Sequence, residues 1–487
     1  MMEKKIDLIF IPAPGVGHIV SMVEMAKLIV ARDHRLSIIV FLMKRPGANT
    51  HLGSFAKSLS IDDDFDQTHI RFIDLREPDP DSVAKFKNTV PLFASTIEFQ
   101  KPIIREAITT EVIGRPDSGK FAGIFVDMFC ASLVDMAKEF DVPSYIYNPS
   151  GASFLGLIYY MSSLRDEQGR DESEFMKSDA FLDMPIFSNP FPAKMLPLAC
   201  IDKGSGSTLM LDLPKKFSLA NGIVVNTFTE IESRAIRVLS GDEKVPPIYP
   251  VGPILNHKKN VGEKHDEIMR WLDNQPHSSV VFLCFGSMGT FKEAQVKEIA
   301  VALERSGHRF LWSLRRPSIE NKRTLAKEYE DPSEVLPEGF LERTGEMGKL
   351  IGWAPQVEVL SHNAVGGFVS HCGWNSTLEG LWCGVPVATW PLHAEQQMNA
   401  FILVKELEVA VEIKMDYRKR FSGLEEDDDG ENIVAATVIE NAIRRLMEVG
   451  SERVKKTTEE CRTAVIEGGS SYVCLGRLID DVINNIT

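Results

Sequence analysis

The sequence predicts an α/β fold in which parallel sheets are wound with helices, arranged as two domains of similar size. Three observations point there. Short apolar runs alternate with helical patterns, the alternation pauses at a Pro- and Gly-rich segment and restarts, and 487 residues are too many for one hydrophobic core.

The first domain opens with an apolar run from Asp7 to Ile11, which leads into a glycine-containing turn and a helix beginning near His18. Further strands are expected from Leu36 to Phe41, Ile70 to Asp74 and Gly123 to Asp127. The segment "KVPPIYPVGPILNHKKN", residues 244–260, reads as a linker because Pro and Gly interrupt regular structure. Beyond it the pattern restarts with the strand in "SSVVFLCFGSMGT", the helix "EAQVKEIAVALERSG" and the strand "RFLWSLR". It continues through "KLIGWAPQ", "GGFVS" and "VPVATWP". The charged stretches 318–334 and 422–432 lack apolar periodicity and read as mobile loops. The acidic runs Asp62, Asp63, Asp64 and Asp427, Asp428, Asp429 do not directly follow buried strands, so they read as solvated loops rather than a magnesium site.

Composition narrows the function classes. The chain is 44% hydrophobic and 25% charged, with 54 basic against 69 acidic residues and a net charge of −15. So acidic a surface disfavours nucleic acid and anionic membranes as partners. The seven cysteines, Cys130, Cys200, Cys284, Cys372, Cys383, Cys461 and Cys474, are odd in number and form no Cys-x-x-Cys pair, the usage of reduced thiols in the cytosol. The apolar run near the start, Ile6 to Ile11, is interrupted by Asp7 and reads as a strand rather than a signal peptide. No apolar stretch approaches the ~18 residues of a membrane helix. A cytoplasmic protein is expected.

In "IFIPAPGVGHIVSMVEMAKLI", Gly15 and Gly17 fit the first two glycines of a dinucleotide fingerprint, but Val20 stands at the third and Pro12 and Pro14 stiffen the turn. The second strand, "IIVFLMKR", ends in Lys44 and Arg45 rather than a ribose-binding acid, which leaves an NADP-linked oxidoreductase as the alternative reading. His18 and Asp127 both stand at C-terminal strand ends, the edge where open parallel sheets bind ligands. If they meet, the carboxylate orients the imidazole and leaves its other nitrogen to take a proton. Capping roles explain either residue singly.

The second half carries a denser constellation. In "GGFVSHCGWNSTLEGLWCGVP", 366–386, a strand turns into a helix through His371, Cys372, Gly373, Trp374, Asn375 and Ser376. The first turn of that helix exposes unpaired N–H groups and the positive end of the macrodipole, which favours phosphate. His371 adds a donor, Glu379 can accept from ribose hydroxyls, and Trp353 offers an aromatic face to a base. The turn is therefore expected to hold a nucleotide diphosphate.

Residues 353–396 closely resemble the donor-binding signature of plant secondary-product UDP-glycosyltransferases. Trp353, Gln356, His371, Gly373, Trp374, Asn375, Ser376, Glu379, Pro391, Glu395 and Gln396 all stand at that family's positions. The likeness extends to "PGVGH", to Asp127 in "VDMFC" and to "FGSMG" at 285–289, and so covers essentially the whole chain. His393 departs from it, replacing the usual aromatic of "PLYAEQ".

The resemblance implies the GT-B fold, two Rossmann-like doubly wound domains facing across a cleft. An acceptor domain is expected over 1–245, a linker over 246–260, a UDP-sugar domain over 261–465, and a helix over 466–487 that crosses back to the first domain. It implies that Trp353 stacks on uracil beside Ala354 and Gln356, and that Glu379 binds ribose. Ser287, His371, Asn375 and Ser376 would hold the diphosphate around Gly373, while Trp374, Glu395 and Gln396 would address the sugar. His18, oriented by Asp127, would deprotonate the acceptor in one inverting displacement. No metal or resident cofactor is expected, UDP-glucose being a co-substrate, and Gln396 favours glucose. The expected acceptors are small lipophilic molecules such as flavonoids, other phenylpropanoids, terpenoids or hormones. Phe86, Phe93, Phe129, Phe154, Leu155, Phe187, Phe191, Met195 and His393 are candidates to line their pocket. A monomer is expected, and a nucleotide-sugar-binding protein without turnover is the second alternative.

Overall fold

The computed structural model describes residues 5–44, 69–77, 89–116, 118–256, 262–317, 326–417, 433–449 and 452–485, without the side chains of 89–93 and 205. Phe86, the side chain of Phe93, both acidic runs and the stretch 422–432 lie outside the described residues.

The first sheet is built from strands β1 (Ile6–Ile11), β2 (Leu36–Leu42), β3 (Ile70–Asp74), β4 (Lys120–Asp127) and β5 (Ser144–Asn148). A two-stranded ribbon, β6 (Phe181–Leu182) with β7 (Phe191–Pro192), interrupts the series before β8 (Gly222–Val225) and β9 (Ile248–Pro250) complete the sheet. Its seven strands run parallel in the order β3-β2-β1-β4-β5-β8-β9. Strands β2, β5 and β8 are buried at every residue, as a parallel sheet covered on both faces requires. Each large apolar side chain removed from water there contributes about 1.5–3 kcal/mol.

The second sheet repeats the plan. It contains β10 (Val280–Cys284) and β11 (Arg309–Ser313), then, after a short ribbon of β12 (Arg315–Arg316) and β13 (Lys327–Glu328), β14 (Gly348–Ile351), β15 (Val365–Ser370), β16 (Val387–Thr389) and β17 (Ala410–Glu412). Its order, β14-β11-β10-β15-β16-β17, is the 3-2-1-4-5-6 arrangement of a dinucleotide-binding sheet. In each sheet the chain order reverses between the first and fourth strands, opening a crevice at their C-terminal ends.

The final helix, Ser470–Asn484, lies on the first sheet, burying Cys474, Leu475, Leu478, Ile479 and Val482 in the cluster that holds Leu8 and Phe10. Tyr249 Oη donates to Asp481 Oδ2 at 2.5 Å, and Ser471 Oγ donates to the Gly252 carbonyl. Two stretches differ from expectation. Within 246–260, read as linker, Ile248–Pro250 is the edge strand of the first sheet, because "IYP" is buried on both sides. Within 318–334, read as mobile, Lys327–Glu328 pairs with Arg315–Arg316, and this antiparallel register sets Arg315 opposite Glu328.

Candidate active site

Strands β1 and β4 are direct neighbours, with Ile11 opposite Val126, so Asp127 stands beside the turn that carries the chain into the helix Val16–Arg32. His18 lies in the first turn of that helix. Its Nδ1 is 2.7 Å from Asp127 Oδ2. Asp127 is fully buried, and its other oxygen accepts from the Phe129 N–H at 3.0 Å, which fixes the carboxylate's plane. The Phe129 ring tilts against the imidazole with centroids 5.3 Å apart. The His18 side chain keeps 29% of its surface exposed, so a substrate can reach it. With the Nδ1 proton directed at Asp127, Nε2 is left as the basic nitrogen.

The second switch point holds the nucleotide motif. Strands β10 and β15 pair with Cys284 opposite Ser370, which brings the turn at Gly286 and Ser287 against His371. Gly286 has φ of 72°, and a Cβ there would stand 2.3 Å from His371 Nε2. A Cβ on Gly373 would stand 2.6 Å from the same atom, so only glycines permit this approach. Asn399 Nδ2 donates to the Cys372 carbonyl at 2.9 Å and pins the turn. Burial, reinforced by the positive charges of His393 and Arg315, pushes the His371 pKa down to about 3, so the ring is neutral at ordinary pH. Its Nδ1 has no hydrogen-bond partner among the described residues.

Between the two sheets lies a cavity of about 240 Å³ lined from both halves. Gly17, Ser21 and Glu24 face it from the first helix; Ser287, Trp353, Ala354, Gln356, Asn375, Ser376 and Glu379 face it from the second half. The two helix N-termini approach closely, since a Cβ on Gly17 would sit 4.0 Å from Asn375 Nδ2. Trp353 is 54% exposed, an unusual state for an indole and one suited to a stacking platform. Gln356 Nε2 donates to Ser376 Oγ at 2.7 Å and Glu379 Oε2 at 2.5 Å. Burial raises the Glu379 pKa to about 7, with Gln356 opposing.

The sugar-directed residues are more constrained than the sequence indicated. The Trp374 indole is 3% exposed and its N–H donates to the Asn226 carbonyl at 2.6 Å, so its ring joins the two halves. Gln396 Oε1 accepts from the N–H groups of Leu392 and His393 at 2.9 and 3.0 Å, so these two bonds engage only the oxygen end of the amide. The Glu395 carboxyl is pushed up by burial while the His18 charge opposes, and Ser150 Oγ donates to it at 3.4 Å.

Of the acceptor candidates, Phe154, Leu155, Phe187, Phe191 and Met195 are all buried within one core cluster. Phe187 and Phe191 pack on Phe401, with centroids 5.1 and 4.9 Å apart. Phe187 and Phe191 thus hold the two halves together; an apolar residue taken singly gives no sign of which way it faces. Phe129 and His393 are partly exposed. Sequence reasoning missed Arg315, which lines the cavity just beyond β11, although the rule that ligands gather at strand C-termini points to it.

This geometry has close counterparts among solved structures. A Siraitia grosvenorii transferase in complex with UDP matches with a TM-score of 0.85 and 44% identity, covering 98% of this chain and 100% of that one. A Medicago truncatula protein complexed with UDP-glucose matches with a TM-score of 0.82 and 41% identity, covering 98% of each chain. Two doubly wound domains facing across a shared cavity thus define a GT-B glycosyltransferase. The family described as UDP-glucoronosyl and UDP-glucosyl transferase matches residues 246–418. UDP-glycosyltransferase 71A15 of Malus domestica is 50% identical over 99% of this chain and 100% of its own length. UDP-glucose flavonoid 3-O-glucosyltransferase 6 of Fragaria ananassa is 48% identical over 99% of each. The chain belongs to the plant family 1 UDP-glycosyltransferases and is an enzyme of that class.

Proposed function

We propose that the chain transfers glucose from UDP-glucose to a hydroxyl or carboxyl group of a small lipophilic acceptor, of the flavonoid, phenylpropanoid, terpenoid or hormone type, giving a β-glucoside. The observation that carries the reading is the 2.7 Å contact of His18 with the buried Asp127 at a crevice whose facing wall is the helix Trp374–Cys383. The complex with UDP-glucose and the flavonoid glucosyltransferase among the relatives support the donor and the acceptor class.

In this mechanism His18 Nε2 removes the acceptor proton as the oxygen attacks the anomeric carbon. The bond from that carbon to the β-phosphate oxygen breaks, its electron pair leaves with UDP, and configuration inverts. Trp353 and Glu379 hold uracil and ribose. Ser287, Asn375 and Ser376, with the helix N-terminus, receive the diphosphate charge without a metal. Glu395 and the Nε2 end of Gln396 address the glucose hydroxyls. The protein works in the cytoplasm as a monomer, with an acceptor domain over 1–245 completed by the edge strand Ile248–Pro250, a connection over the rest of 246–260, a donor domain over 261–465 and the crossing helix over 466–487. Among the described residues no helix is long and apolar enough to cross a membrane.

The test is a panel of aglycones incubated with the purified chain and UDP-glucose, read by mass spectrometry and UDP release. Appearance of a glucoside with stoichiometric UDP is expected. UDP release that no aglycone stimulates, with no glucoside formed, would sink the reading.

A further inference from the structure

Arg315 is 5% exposed and lines the cavity between the halves. Its Nη2 donates to the Gly286 carbonyl, and its guanidinium carbon lies 5.3 Å from the Trp353 ring centroid. Its Nη1 is buried and has no hydrogen-bond partner, and no carboxylate lies within ion-pair distance, among the described residues. Glu328, its opposite number in the ribbon, is committed elsewhere: one oxygen accepts from the Trp353 N–H at 3.1 Å and the other pairs with Lys264 at 2.7 Å. A buried cation without an ion-pair partner is costly, and burial lowers the Arg315 pKa, with Cys284 and the more distant Glu328 charge opposing. A fixed cation so placed suits a ligand that brings the anion with it.

The surroundings name the anion. Arg315 is bonded to the carbonyl of Gly286, the residue wedged against His371, whose Nδ1 is the second partnerless polar atom of this turn. Ser287, Asn375 and the first turn of the helix Trp374–Cys383 border the same space. His371 is neutral, so the helix N-terminus alone offers only a partial positive charge. We propose that Arg315 is a ligand of the UDP diphosphate, its Nη1 donating to a phosphate oxygen and its full charge stabilising UDP as it departs. This rests on the nucleotide reading of the cavity and adds a residue outside the 353–396 signature.

The rival role is purely structural, with Arg315 backing the Trp353 platform by its cation–π contact. Calorimetric titration of UDP and of uridine against wild type, R315Q and R315K separates the two, because uridine keeps the base and lacks the phosphates. R315Q should weaken UDP roughly 10- to 100-fold, as expected for a hydrogen bond to a charged group, and leave uridine almost unchanged. R315K, a point charge on a flexible stem, should recover part of the UDP affinity. Partial unfolding would lower the active fraction for both ligands alike, so the UDP-to-uridine ratio remains diagnostic. Equal losses for the two ligands, or no loss for either, would overturn the proposal while leaving the nucleotide site intact. A wild-type chain that binds neither would overturn the nucleotide site itself, and this inference with it.

Discussion

The Trp374 indole, at the head of the donor-side helix, donates its N–H to the carbonyl of Asn226 at the end of β8, 2.6 Å away and 148 residues earlier in the chain. Asn226 in turn accepts from the Ile254 N–H through its own side chain at 2.7 Å, so one asparagine ties both the connecting segment and the nucleotide helix to the first sheet. Trp374→Phe keeps an aromatic ring but deletes the N–H donor together with the five-membered half of the indole, leaving a buried carbonyl unsatisfied beside a small void. The expected loss is about 1–3 kcal/mol in chemical denaturation. An unchanged midpoint would mean the bond contributes nothing to holding the halves together.

The proposed base is His18, and its partner Asp127 is fully buried. His18→Ala should lower kcat by ~10²–10⁴ on a poorly acidic alcohol while UDP binding stays nearly intact. Asp127→Asn should do less harm. Normal turnover of such an alcohol by His18→Ala would remove the general-base assignment; a strongly acidic phenol ionises unaided and does not test it.

Because Trp353 is exposed, its truncation should separate binding from folding cleanly. Trp353→Ala should weaken UDP by roughly 1–3 kcal/mol, the range for base stacking on aromatics, with little change in Tm. A large fall in Tm with unaltered UDP affinity would contradict the platform role.

Glu379 gives a pH signature. Its folded-state pKa is raised from 4.5 to about 7, so the folded apo protein binds the proton more tightly than the unfolded chain. The stability it contributes is fully present below about pH 4.5 and is lost as pH rises to about 7. Glu379→Gln should therefore gain stability relative to wild type across that window. The ionised carboxylate is a stronger acceptor for ribose hydroxyls than the neutral acid, so uridine affinity in the wild type should strengthen as pH rises through about 7. Uridine is the right ligand because its lack of phosphates removes their titration. A flat uridine profile in the wild type would argue against the ribose contact.

Gln396 has two separable ends. Gln396→Glu retains an oxygen for the Leu392 and His393 N–H groups but deletes the Nε2 donor, whereas Gln396→Ala deletes both. Tm should fall for Ala more than for Glu, while kcat/KM for UDP-glucose should fall for both by tenfold or more, about 1.4 kcal/mol of transition-state binding. Competition with UDP-galactose, UDP-xylose and UDP-glucuronate should show glucose preferred by the wild type; an unaltered ranking and rate in Gln396→Glu would confine the residue to holding its loop.

The α/β class, the strands that carry the site and the nucleotide motif were legible because each is local. A buried parallel strand is a short apolar run, its ligands follow within a few residues, and the stretch 353–396 is contiguous. Strands β5, β8, β9 and β17 were not recognised: they are three to five residues long, and in "IYP" a proline at the edge disguises the strand as linker. Tertiary structure alone decided whatever depends on which buried groups find partners. His18 and Asp127 could be expected to share an edge, but their contact spans 109 residues and follows from the pairing of Ile11 with Val126. Phe154, Phe187 and Phe191, offered for an acceptor pocket, are buried in the core cluster, because the sequence gives an apolar side chain's chemistry and not its direction. Arg315 reads as an ordinary surface cation until the fold removes its water, and only the fold shows that two backbone N–H groups claim the oxygen of Gln396 and leave its Nε2 end for the proposed sugar contact. Burial and hydrogen-bond competition are properties of the packed chain, settled only when segments distant in sequence exclude solvent together.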